Sequence, residues 1–89
     1  MKETVKLKIN GRVQGVGFRY WAKVQAKRLK INGYAKNLAD GSVEILASGK
    51  KTKIKELEKI CYQGPSNASV ESVNLQTKNY TSFEGFNIF

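Results

Sequence analysis

Residues 11–21 read GRVQGVGFRYW, three glycines and two arginines between a strand-like run and a helix-like run. Glycine admits positive φ and lets a ligand approach the backbone closely, at an entropic cost to folding. Successive amide N–H groups in such a turn, at the opening of a helix, form an anion-binding concavity that the helix dipole reinforces. Gly15, Val16, Gly17, Phe18 and Arg19 are placed to supply those donors. Arg19, in the first helical turn, can grip a phosphoryl group with its planar fork. A plain tight turn beside an exposed arginine would account for the same residues. Two other phosphate motifs fit badly. EILASGKKT carries Gly49-Lys50 but has Glu44 where a Walker loop needs its first glycine, and Lys51 where it needs Ser or Thr. GVGFRY opens like a dinucleotide fingerprint but puts Tyr20 at its third glycine.

The sequence contains no histidine, so Ser-His and Cys-His nucleophiles and His-ligated metals are excluded. Its one cysteine, Cys61, has no disulfide partner within the chain and stands at helical spacing from Leu57, as a small core hydrophobe would. No metal-ligand spacing is present. A net charge of +9 favours anions: phosphorylated metabolites, nucleic acid or acidic lipid. A solvated basic surface without a partner is the plainer alternative. MKETVKLKIN has no apolar signal core and no stretch reaches membrane-spanning length, so a soluble, cytoplasmic, membrane-free protein is expected. The sequons at Asn67 and Asn79 are then accidental.

Eighty-nine residues suit a single small domain, 1–89. Val5, Leu7 and Ile9 alternate with Lys6 and Lys8, which predicts a first strand with one apolar face. Phe18, Ala22, Ala26 and Leu29 predict a helix near 18–30, and Ile54, Leu57, Ile60 and Cys61 a second near 51–63, stopped at Gly64-Pro65. INGYAKNL and SVEILAS read as strands joined by a tight Asp-Gly hairpin. Val70, Val73 and Leu75 suggest a fourth strand, and Phe83, Phe86 and Ile88 a short tail strand. The order βαββαβ plus a tail is an α+β, ferredoxin-like sandwich with two helices on one face of an antiparallel sheet. In its usual strand order, 4-1-3-2, the first and second strands run parallel. Residues 11–19 and the neighbourhood of Asn37 then share one sheet edge.

GRVQGVGFR followed by GYAKNLADGSVEILASG closely resembles the two signature stretches of the acylphosphatases, and GPSNASVESV and FEGFNIF extend the likeness to essentially the whole chain. Lys36 stands where many members have arginine. The resemblance implies hydrolysis of acyl phosphates to carboxylate and inorganic phosphate, with no metal, cofactor or covalent intermediate. It implies a phosphate cradle built from the amides of Gln14, Gly15, Val16, Gly17, Phe18 and Arg19 together with the Arg19 side chain, and a water oriented by Asn37. A leaving carboxylate needs no acid, because its conjugate acid has a pKa of roughly 4. Trp21 and Tyr34 are candidates for the acyl side or for ordinary packing, and Arg12 for positioning the loop. Small acyl phosphates and inorganic phosphate are the expected partners, and the absence of a long apolar edge favours a monomer.

Two readings compete. A non-catalytic phosphate-binding or regulatory domain would use the same loop, as at the start of the larger hydrogenase-maturation proteins. An RNA-recognition module shares the element order, but TVKLKIN and SVEILAS lack the aromatics that stack bases, so no specific nucleic acid is expected.

Overall fold

Alternation along the first strand decides which side of the sheet is covered. In β1 (Lys2–Arg12), Val5, Leu7 and Ile9 are fully buried while Lys6 and Lys8 face outward. The computed structural model describes residues 1–89. After β1 come α1 (Phe18–Arg28), β2 (Asn32–Asn37), β3 (Val43–Lys50), α2 (Lys51–Cys61), β4 (Ser69–Lys78) and β5 (Phe86–Ile88). The sheet order is β4-β1-β3-β2-β5. β3 is antiparallel to both β1 and β2, pairing Leu7 with Ile45 and Ala35 with Ile45. These side chains form the floor on which α1 and α2 lie.

Each helix buries one stripe. Phe18, Ala22 and Ala26 of α1 close the core over β2, β3 and β5, and Ile54, Leu57 and Cys61 of α2 over β1, β3 and β4. The small alanines bring α1 close to the sheet, and Lys27 and Arg28 in its last turn suit the negative end of the dipole. α1 ends two residues earlier than the periodicity predicts. The amide of Lys30 donates to the Lys27 carbonyl (3.2 Å) and that of Ile31 to the Ala26 carbonyl (2.8 Å). Lys30 turns left-handed to do this, at φ 57°. The pattern is a Schellman stop with lysine where glycine is preferred. α2 also stops two residues early, at Cys61, where burial pushes the thiol pKa up to about 12 with a smaller contribution from Glu58.

The tail departs from the expected antiparallel sheet. β5 pairs with β2 in parallel, Gly33 opposite Phe86 and Ala35 opposite Ile88. β4 runs antiparallel to β1 and so finishes beside the beginnings of β1 and β2. A chain that crosses that end of the sheet and continues beside β2 must run in the same direction as β2. Phe86 is buried, whereas Phe83 stays in the crossing segment and Leu75 of β4 is half-exposed. The Asp-Gly hairpin is also wider than a two-residue turn. Residues 38–42 form the connection, closed by the Leu38 amide donating to the Ser42 carbonyl (2.8 Å), while the Asp40 carboxylate accepts the Ser42 amide (3.0 Å).

Candidate functional site

The glycine loop lies between the end of β1 and the start of α1. Gly15 and Gly17 have φ of 74° and 78°, and a Cβ added at either would meet nothing within 4 Å. Backbone conformation, not crowding, therefore demands glycine, and the loop's outer surface stays open. The amides from Gly15 through Tyr20 have no backbone acceptor; the first in α1 to find one is that of Trp21, which donates to the Gly17 carbonyl at 3.0 Å. These donors cluster where the helix dipole is positive.

Parallel β1 and β2 bring Asn37, the last residue of β2, to the same edge. Gly15, Gly17, Phe18, Arg19 and Asn37 line one cavity of about 150 Å³, together with Val13, Tyr20 and Ile88. Gln14 and Val16 do not line it. Val16 packs partly against the core. The Gln14 side-chain amide instead bridges two carbonyls of the β2–β3 connection, donating to Leu38 at 2.8 Å and Ser42 at 2.9 Å. It ties the glycine loop to the hairpin that carries Asn37.

Arg19 is held from the opposite side. Its Nη1 donates to the main-chain oxygen of Phe89, the last residue, at 2.6 Å, and the Phe89 amide donates to the Ala35 carbonyl at 2.9 Å. The Phe89 ring meets that of Tyr34 edge-on, with centroids 5.5 Å apart. The guanidinium is thus anchored to β2 through the tail. None of the chain's four ion pairs joins Arg19 to an aspartate or glutamate side chain. Tethering one nitrogen leaves the rest of the fork free to face an oxyanion.

Trp21 takes the packing alternative of the two that the sequence left open. Trp21 packs edge-on to Phe18 (5.2 Å) against the core, and Arg12 is exposed at the end of β1. Tyr20 and Ile88 line the cavity instead, and neither was singled out by residue type. Tyr20 follows the glycines on the polar side of α1, but Ile88 could be placed only once the direction and neighbour of β5 were known.

On the open face of the sheet, Glu44 is almost completely buried beneath three partners. The Tyr34 hydroxyl donates to Oε2 at 2.9 Å, and Lys36 and Lys6 approach at 3.5 Å and 3.7 Å. Burial pushes the Glu44 carboxyl upward, but the Tyr34 hydrogen bond and the two ammonium groups outweigh it and hold the group below the ordinary value. Tyr34 is pushed up to about 12, mainly by burial and then by Glu44. Lys36, adjacent to Asn37, therefore faces its carboxylate partner and lies over the Tyr34 ring at 5.6 Å. No three Asp, Glu or Cys side chains gather as metal ligands, and no helix is long and apolar enough to cross a membrane.

The acylphosphatase family model matches residues 5–88. Among curated proteins, the chain is 46% identical over 80 residues to an acylphosphatase of Vibrio parahaemolyticus, covering 90% of this chain and 89% of that one. It is 49% identical over 79 residues to one from Legionella pneumophila strain Paris, covering 85% and 87%. Among solved structures, an acylphosphatase from Coxiella burnetii superposes with a TM-score of 0.95 at 31% identity, covering 99% of this chain and 93% of its own.

Proposed function

The chain belongs to the acylphosphatase family, and with acyl phosphate hydrolysis thus its activity, we propose that the cavity shared by the glycine loop, Arg19 and Asn37 is where that hydrolysis takes place. The single observation that carries this reading is the common lining of one small cavity by residues from the two ends of β1 and β2. The phosphoryl oxygens sit against the open amides of the loop and against Arg19. Asn37 orients a water on the face of phosphorus away from the leaving group.

The chemistry asks little more. Phosphoryl transfer passes through a loose transition state, so positioning and charge stabilisation dominate over covalent catalysis. The water oxygen bonds to phosphorus as the bond from phosphorus to the carboxylate oxygen breaks. The carboxylate leaves with that electron pair and needs no proton, and the water's proton passes to a phosphate oxygen. A neutral asparagine serves for orientation because no strong base is required. Arg19, already tethered at Phe89, acts as a preorganised donor, an interaction whose removal typically costs about 3–4 kcal/mol in the transition state. Residues 1–89 work in this reading as one domain on small acyl phosphates.

Benzoyl phosphate hydrolysis in EDTA tests the assignment. Arg19→Ala and Asn37→Ala should each lower kcat/KM by at least roughly 10²-fold, Asn37→Ala through kcat with inorganic phosphate still bound. Full turnover in Asn37→Ala would remove that residue from the reaction, and full turnover in both would move the site elsewhere.

A further inference from the structure

The largest cavity in the molecule is not the one just described. A hollow of about 480 Å³ opens at the other end of the sheet, where β1 and β2 begin and β3 finishes. β1 alone separates the two ends by roughly 30 Å at the usual rise per residue. Five cations line this hollow: Lys2, Arg28, Lys30, Lys50 and Lys53, with no acidic residue among its walls.

Three features show that this charge is concentrated by the fold. First, the cations come from β1, the end of α1, the end of β3 and the start of α2, so no single run of sequence puts them together. Second, Lys50 and Lys53 stand at the N-terminus of α2, which has no side-chain cap and no acidic residue in its first turn. Cations there oppose the positive end of the dipole, the reverse of the stabilising arrangement. Third, Lys30 occupies the left-handed position that ends α1, where glycine is preferred. Cations held together at the positive end of α2 become favourable when an anion sits among them.

The hollow also has a firm floor and an aromatic wall. Ser48 and Thr4, both buried, hydrogen-bond each other; Ser48 Oγ donates to the Thr81 carbonyl at 2.7 Å, and the Thr81 amide donates to Thr4 Oγ1 at 2.9 Å. These bonds pin the segment between β4 and β5 across the sheet, and that segment contributes Tyr80 and Phe83 to the wall. Tyr80 is half-exposed, leaving a face on which a planar group can stack. Volume, several cations and an aromatic surface together match a small ligand carrying both a polyanion and a flat ring.

We propose that this second cavity binds a nucleoside di- or triphosphate, its phosphates among Lys50, Lys53 and Lys30 and its base against Tyr80 and Phe83. The proposal does not depend on the reading of the glycine loop. It is tested with the full chain, inorganic phosphate being kept at saturation so that the glycine loop is occupied. ATP, tripolyphosphate and adenosine are titrated separately by calorimetry and by backbone amide chemical shifts. ATP should bind saturably at one site and shift the amides of Lys30, Gly49, Lys53 and Tyr80 while leaving Gly15 and Gly17 unmoved. Tripolyphosphate and adenosine should each bind at least tenfold more weakly. The doubly substituted Lys50→Ser/Lys53→Ser chain should lose at least tenfold in affinity for ATP. Lys27→Ser/Lys59→Ser, which removes the same charge from exposed positions outside the hollow, should lose almost none. Equal weakening in the two doubly substituted chains would reduce the effect to net charge and overturn the proposal. So would shifts centred on residues 15–19, tripolyphosphate binding as tightly as ATP, or no saturation.

Discussion

Gln14→Ala separates a residue that ties the site together from one that touches substrate. In the structure its side chain reaches away from the cavity and donates two hydrogen bonds, to the Leu38 and Ser42 carbonyls. Each such bond contributes about 0.5–1.5 kcal/mol net. Neither carbonyl is left bare by truncation, because Leu38 O still accepts the Gly41 amide and Ser42 O the Leu38 amide. The cost is therefore the two bonds alone, about 1–3 kcal/mol. A domain of this size loses about 4–8 °C per kcal/mol, so Tm should fall by roughly 4–24 °C. The bridge spans the glycine loop and the hairpin after Asn37, so kcat/KM should fall with it, by about tenfold, from loosened positioning. Circular dichroism melts and benzoyl phosphate hydrolysis, both on the purified variant, check the two numbers. Lost activity with an unchanged Tm would mean that Gln14 meets the substrate directly and would refute the assignment. No change in either would show that the bridge contributes nothing.

Two further outcomes follow from the loop and the open sheet face. Gly17→Ala should lose about 1–2 kcal/mol in urea denaturation, because an alanine is forced left-handed at φ 78° although its Cβ meets no atom; Gly17→Asn should lose less, since asparagine tolerates that conformation, and equal losses would point to some cause other than backbone strain. Alkaline titration followed by phenolate absorbance should contain a component lagging to about 12 that Tyr34→Phe deletes. Because the folded state holds that phenol protonated, its contribution to stability is complete below the ordinary value of 10.0 and is lost as pH rises towards 12. The Tm difference between wild type and Tyr34→Phe should shift across that window and stay flat beneath it.

Much of the frame was legible because periodicity reports the face each residue presents. Val5, Leu7 and Ile9 announce the buried side of β1, and Phe18, Ala22 and Ala26 the buried stripe of α1. Strand order then follows from the element order, and with it the meeting of residues 11–19 and Asn37 at one edge. What periodicity cannot report is the partner a polar group chooses across the fold. Gln14 looked like one more member of the loop, yet its side chain is committed to carbonyls 24 and 28 residues away. Arg19 is anchored 70 residues on, at Phe89, through a strand whose direction no residue pattern encodes.

Charge shows the same limit. A net charge of +9 is one number for the chain, but carboxylates decide where it acts. Glu44 takes up Lys6 and Lys36, and Asp40 takes up Lys8 at 2.8 Å with its own pKa held well below the ordinary range by that contact and by Ser42. The cations of the open face are thus largely answered in place. Arg19 at one end of the sheet has no aspartate or glutamate side-chain partner, and neither do most of the cations around the larger hollow at the other; there only Lys53 is paired, with Glu56 at 3.5 Å. Four cations without a carboxylate partner, Lys2, Arg28, Lys30 and Lys50, thus meet around one hollow, while others such as Lys27 and Lys59 stand exposed outside it. Anions bound at the two cavities, as proposed, would repel each other little, because the Debye length is about 8 Å at physiological ionic strength.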